Sequence, residues 1–191
     1  MSENEKDLIL LNRIRKGDKS AYAVLINRHK SYAFTIAFRI LNIREDAEEV
    51  AQDAFIQVFN GLDSFNADSK FTTWFYRIVF NAALMYKRKK RILSSDFEDS
   101  REALQVDSFS DSSGELLQNE RQIAIKACLE KLSSDDVTII TLFYLKELTL
   151  DEVASIIEIS AETAKVKLHR ARKRLMEEMK KQLKDEVKNL L

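Results

Sequence analysis

The chain has 191 residues, with 31 acidic and 31 basic side chains, three glycines, one cysteine and no proline. Strand-and-turn folds take their turns from Gly and Pro, so this scarcity, beside an abundance of Leu, Ile, Lys, Glu and Ala, predicts an all-α protein. A lone cysteine, Cys128, excludes an internal disulfide; no His/Cys cluster has zinc-ligand spacing, and no uncharged apolar run approaches the roughly 18 residues of a membrane span.

The N-terminus, MSENEKDL, is acidic and polar, unlike a secretory leader, so a cytoplasmic location is expected. Residues 20–42 are predicted to form a long apolar-rich helix. The next helix repeats Ala47, Val50, Ala51, Ala54, Phe55, Val58 and Phe59 at the spacing of one buried stripe, leaving Glu45, Glu49, Gln52, Asp53 and Ile56 outside. GLDSFNADSK (61–70) is a polar loop. FTTWFYRIVFNAALMYKRKKR (71–91) follows, with Phe71, Trp74, Phe75, Ile78, Val79 and Ala82 on one face and a basic end. That segment admits three readings: a core helix, a membrane-surface anchor or a nucleic-acid strip. Arg77 and Asn81 interrupt it, which weakens the membrane reading.

Residues 94–115, SSDFEDSREALQVDSFSDSSGE, lose apolar periodicity and bury too little to offset their ordering entropy. They predict a linker over 94–116 between two small helical domains, 1–93 and 117–191. In the second, Ile125, Cys128, Leu129 and Leu132 repeat on one side. Ser133 reads as an N-cap, with Asp135 and Asp136 at the positive end of a helix that holds Val137, Ile140, Tyr144 and Leu145. Thr149 and Glu152 form a capping-box pattern before a short helix with Val153, Ala154, Ile156 and Ile157. Ser160 opens the next, with Glu162 in its first turn and Ala164, Leu168, Ala171 and Leu175 inside. EEMKKQLKDEVKNLL extends that helix, with Met179, Leu183, Val187 and Leu190 along a narrow apolar edge.

A short helix, a turn and a second capped helix make a helix-turn-helix pattern. Glu162, Thr163, Lys165, Lys167, Arg170 and Arg172 lie away from its apolar stripe, where the first turn reaches base edges and cations hold phosphates. The plainer reading is a helical hairpin with a solvated basic face. The neutral charge sum hides segregated patches at 45–53, 87–91 and 165–174, and beyond about 8 Å a partner feels each separately. His29 and His169 have no nucleophile or carboxylate signature beside them, so no catalytic residue, cofactor or metal site is expected. The acids of 45–53 read as a solvated or protein-binding face.

DAEEVAQDAFIQVF (46–59), the 71–91 segment and residues 129–175 together resemble the bacterial RNA polymerase sigma factors of the extracytoplasmic-function (ECF) group. They are similar, in that order, to conserved region 2.2, regions 2.3 and 2.4, and region 4. The resemblance implies a non-enzymatic initiation factor. It would bind core RNA polymerase through the β′ clamp helices and β flap, read −35 and −10 promoter DNA, and be held by an anti-sigma factor. Glu49, Gln52 and Asp53 match polymerase-docking positions. Ser64, Phe65, Asn66, Asp68, Ser69 and Lys70 match the loop that captures a flipped −10 base, and Asn81 a −10 recognition position. Arg77, Lys87, Arg88 and Arg91 share that outer face, while Tyr76, Phe80 and Tyr86 stand open between core and base contact. Ser160, Glu162, Thr163, Lys165, Lys167, Arg170 and Arg172 lie on the helix matching the −35 reader. Three positions depart from the pattern: Met85 replaces a polar residue, Glu158 a turn glycine and Ala164 a larger β-branched residue. Glu158 is expected to strain or reshape the turn, and Ala164 to loosen the packing. The alternatives are a stand-alone helix-turn-helix regulator and a structural helical adaptor.

Overall fold

The computed structural model describes residues 1–93, 124–125, 127–145 and 148–189. Its first module is built from α1 (Glu3–Arg15), α2 (Lys19–Leu41), α3 (Arg44–Gly61) and α4 (Phe71–Leu93), with a 3-10 turn at Leu62–Ser64. The second holds α5 (Ser134–Leu145), α6 (Leu150–Ile156) and α7 (Ala161–Asn189), preceded by a helical turn at 127–130. No strand occurs among the described residues, in line with the all-α expectation. The expected linker, 94–116, lies outside them.

Helix α1 was not expected, yet it has a local cause. Ser2 and Glu5 form a reciprocal capping box, with the Glu5 amide donating to Ser2 Oγ at 3.2 Å and the Ser2 amide to Glu5 Oε2 at 2.9 Å. Leu10, Leu11 and Ile14 then bury one side of the helix. Its other product is a cap supplied at a distance: Asn4 Oδ1 accepts the amide of Phe71, the first residue of α4, at 3.1 Å. Helix α2 starts one residue before the predicted span, because the Asp18 carboxylate accepts the amides of Ser20 and Ala21. It stops one residue earlier, where Asn42 takes a left-handed φ of 58°.

The core of the first module joins Leu25, Ile36, Val50, Phe55 and Val58 to the aromatic side of α4. On α4 the enclosed residues are Phe71, Phe75, Tyr76, Val79 and Ala83, with Trp74 and Ile78 at the margin. The predicted stripe is therefore rotated slightly, and Tyr76 belongs to the core. Phe59, expected in the α3 stripe, is instead 55% exposed and packs edge-on against Tyr22 at 4.9 Å between ring centroids. The stripe drifts around a 3.6-residue helix, so its last member falls outside the contact with α2 and α4.

Beneath α4 lies a buried charged group that the sequence did not signal. Asp7, fully enclosed, pairs with Arg28 Nη1 at 2.7 Å and faces His29 Nε2 at 3.1 Å, with His29 packed edge-on against Phe71. These residues lie 21 and 22 positions apart, so no local motif joins them.

The middle of helix α5 is enclosed on every side: all seven residues from Asp136 to Leu142 are buried. It packs on α7 and α6 within its own module and on α2 of the other, while α6 packs on α4. The two modules thus share one contiguous apolar cluster. The expected apolar set, Val137, Ile140 and Tyr144, covers only part of this surface. Ile139 and Leu142 are more deeply buried than Ile140, and Tyr144 is half exposed. Ile125 is exposed as well, whereas Cys128 is buried.

Replacing Asp7 with alanine leaves Arg28 and His29 without their carboxylate and should lower the unfolding free energy by about 3–5 kcal/mol in a urea titration. The cap at Asp18 predicts a pH dependence. Hydrogen bonds from Ser20, Arg13 and Ala21 hold its pKa at about 2, below an ordinary 3.8. A depressed folded-state pKa means the cap's contribution is complete above pH 3.8 and is lost as pH falls through about 2. The Ser20 and Ala21 amide resonances, followed by NMR, should move in that window and not near neutrality.

Candidate nucleic-acid interface

The outward side of α4 follows from its buried one. With Phe71, Phe75 and Val79 directed inward, helical spacing turns Arg77, Asn81, Met85 and Arg88 away from the first module's core. Met85 is 69% exposed, and Arg88 and Arg91 are exposed. Phe80 is half-buried. Tyr86 is neither core nor open: its hydroxyl donates to Asp46 Oδ1 at 3.0 Å and to Glu49 Oε2 at 3.3 Å. Desolvation, then those two carboxylates, push its phenol up to about 12. Lys90 also meets Asp46, at 2.6 Å. Asp46 is therefore a buried, paired residue that ties α3 to α4, although its acidic neighbours suggested an outer face.

The loop after α3 is held from below. Arg15 of α1 donates to the carbonyl oxygens of Leu62 and Phe65. Phe65, expected among the DNA contacts, is 4% exposed and packs between Phe71 and Trp74, so its ring anchors the loop from inside. Ser64 Oγ donates to the Gly61 carbonyl at 2.6 Å, and the Asn66 amide side chain bonds the Asp68 carboxylate. Asn66, Asp68, Ser69 and Lys70 stand outward, with Ala67 between them at a left-handed φ of 64°.

On α3, Glu49, Gln52 and Asp53 lie exposed on one side, as expected, and Ile56 at 57% exposure continues their face.

The second module supplies the helix-turn-helix. Thr149 and Glu152 form the reciprocal capping box that opens α6. Four residues, 157–160, separate α6 from α7. Ser160 Oγ accepts the Thr163 amide at 3.2 Å and so caps α7. Glu158 adopts a φ of 57°. The turn keeps the left-handed geometry that glycine favours, with a residue for which that geometry costs about 1–2 kcal/mol. Ala164 is fully enclosed where α6 meets α7. Ser160, Glu162, Thr163, Lys165, Lys167, Arg170 and Arg172 are all exposed along α7. Two of them lean on α5: Lys167 lies 4.0 Å from Asp135, and the Arg172 guanidinium sits 5.9 Å from the centre of the Tyr144 ring.

The structure brings the two predicted DNA-facing sets into unequal situations. The α7 set is open. Three members of the first module's set meet the second module. Asn81 Nδ2 donates to Glu158 Oε1 at 3.0 Å, Lys70 Nζ pairs with Glu152 Oε1 at 2.8 Å, and Lys87 Nζ donates to Ser134 Oγ and to the Ile40 carbonyl, each at 3.1 Å. Partial burial raises the Glu152 carboxyl pKa; the Lys70 contact and the Thr149 cap outweigh that and hold it below the usual value. Among the described residues no helix is long and apolar enough to cross a membrane.

Comparison with known proteins agrees with this layout. Residues 25–92 match the family description Sigma-70 region 2, and residues 122–175 match Sigma-70, region 4. The chain is 32% identical over 183 residues to the ECF RNA polymerase sigma factor SigW of Bacillus subtilis, covering 92% of this chain and 95% of that protein. It is 32% identical over 183 residues to the ECF RNA polymerase sigma-E factor of Escherichia coli K12, covering 90% and 93% respectively. Among solved structures, the sigma factor RpoE bound to the anti-sigma factor NepR from Bartonella quintana shares the fold at a TM-score of 0.70 and 22% identity, over 83% of this chain and 96% of that one. CnrH, solved with the cytosolic domain of CnrY, does so at 0.61 and 23%, over 90% and 95%. The chain belongs to the sigma-70 family, in its extracytoplasmic-function group, and is a sigma factor that directs transcription initiation.

Proposed function

We propose that this chain docks core RNA polymerase through Glu49, Gln52 and Asp53 of α3, reads the −35 element with α7 and reads and opens the −10 element with α4 and the loop before it. The module limits 1–93 and 117–191 go with this reading. The observation that supports it is the placement on one chain of an exposed acidic face with Ile56, an α4 face with Asn81 turned away from its own module's core, and a capped helix lined with exposed Lys165, Lys167, Arg170 and Arg172. No covalent step is needed. A flipped base costs a few kcal/mol to unstack, and hydrogen bonds and stacking in a pocket offset it. The working location is the cytoplasm, where polymerase is. RpoE, a relative of the same fold, was captured with an anti-sigma factor, which supports a controlling partner of that kind here. The Bacillus subtilis, Escherichia coli and Bartonella quintana relatives reported above are sigma factors, and no observation favours a stand-alone regulator.

Core polymerase should retain the purified chain in a pull-down and start transcription at discrete mapped sites. Gln52→Ala with Asp53→Ala should weaken that capture about tenfold, the size expected for central interface residues. Absence of capture by the unaltered chain would sink the reading. Asn81→Ala should abolish start-site selection while leaving capture intact. On duplex DNA, Arg170→Ala should lower the slope of log affinity against log salt by about 1, the signature of one lost phosphate contact.

A further inference from the structure

The match to Sigma-70 region 2 begins at residue 25, so helix α1 lies outside it. That helix is nevertheless fixed in the first module. Its inner side buries Leu10, Leu11 and Ile14, and its enclosed Asp7 pairs with Arg28 of α2. From this anchored position it packs on the 3-10 turn and on α4. Two of its polar side chains reach the segment between them. Arg15 Nη2 carries two N–H groups and donates to the Leu62 carbonyl at 2.9 Å and the Phe65 carbonyl at 2.5 Å. Asn4 Oδ1 accepts the Phe71 amide at 3.1 Å, where the segment ends and α4 begins.

Both contacts answer a local need. The carbonyls at the end of a helical segment have no following amide, and the negative end of the helix favours a cation. Arg15 meets that need where α3 and its 3-10 turn run out. Asn4 meets the opposite need at the start of α4. With the Phe65 ring packed between Phe71 and Trp74, the backbone is held from inside at 62, 65 and 71. The exposed residues 66–70 lie between these fixed points, and Ala67 among them has a left-handed φ of 64°. A non-glycine residue keeps that conformation only where its surroundings impose it.

We propose that Arg15 is a positioning residue for −10 recognition. By holding the Leu62 and Phe65 carbonyls it sets residues 66–70 in the shape that receives a flipped base, without itself touching DNA. A loop already in that shape spends no binding free energy on ordering itself. Without Arg15 the receptive shape is a minor one, and the affinity gained from the base falls with its population. This inference rests on the assignment of the loop to base capture.

The test uses holoenzyme assembled from core polymerase and the full chain, unaltered or carrying Arg15→Met. The control Lys16→Met removes the same charge from the next residue, which is exposed. The probes are fluorescein-labelled non-template single strands of a promoter mapped with the unaltered holoenzyme, intact or with an abasic site at each −10 position in turn. Anisotropy gives the ratio of intact to abasic affinity. The loop's own position is the one whose ratio is abolished by Asn66→Ala with Asp68→Ala. There the unaltered and Lys16→Met holoenzymes should show a ratio of about tenfold, the size of one bound base. Arg15→Met should bring it within about twofold of unity and leave the ratios at other positions unchanged. Partial unfolding lowers both affinities equally, so the ratio remains readable. A tenfold ratio kept in Arg15→Met overturns the proposal. So does equal shrinkage at every position, or the same shrinkage in Lys16→Met. If Asn66→Ala with Asp68→Ala abolishes no ratio, the base-capture assignment itself fails, and the role of Arg15 with it.

Discussion

The arrangement depends on the burial of α5. A helix segment enclosed all round has to be surrounded by other elements, and α6 and α7 cover only part of its circumference. Helix α2 supplies the missing wall. A fully buried Ile or Leu contributes about 1.5–3 kcal/mol, so Ile139 and Leu142 outweigh a half-exposed ion pair such as Lys70–Glu152, worth about 0–1 kcal/mol. The apolar contact therefore brings the modules together. The polar contacts at Asn81, Lys70 and Lys87 then select the register in which they meet.

Charge segregation works in the same frame. The chain is neutral in sum, yet its cationic α4 and α7 would repel each other if pressed face to face. The structure avoids this by turning α7's cations outward and offering the acids of α6 and its turn to α4. Within the first module, Asp46 plays a similar part, gathering Tyr86 and Lys90 at the start of α3.

How much of this was legible in the sequence depended on range. Caps and stripes are local, and those at Ser133, Thr149 and Ser160 stand where the residue pattern put them. The capping box at Ser2 and Glu5 was equally readable, but the polar character of the N-terminus masked it. The Asp7–His29 pair, the Asn4 cap on Phe71 and the inward turn of Phe65 join positions far apart in the chain, and no spacing rule reaches them. The all-round burial of this part of α5 left a trace in DVTIITL, where the apolar Val137, Ile139, Ile140 and Leu142 fall on different sides of a helix and not on one stripe. A single stripe accounts for one packing face of α5; the second is the face turned to α2. Glu158 is different again: its departure from glycine was visible, and its partner on α4 was not.

Glu158 serves two parts of the structure at once. Its backbone, at a φ of 57°, shapes the turn of the helix-turn-helix, and its carboxylate reaches Asn81 on α4. Glycine would take that φ without strain but has no side chain to reach α4. A single substitution at 158 therefore alters the turn and the seat of the second module on the first together.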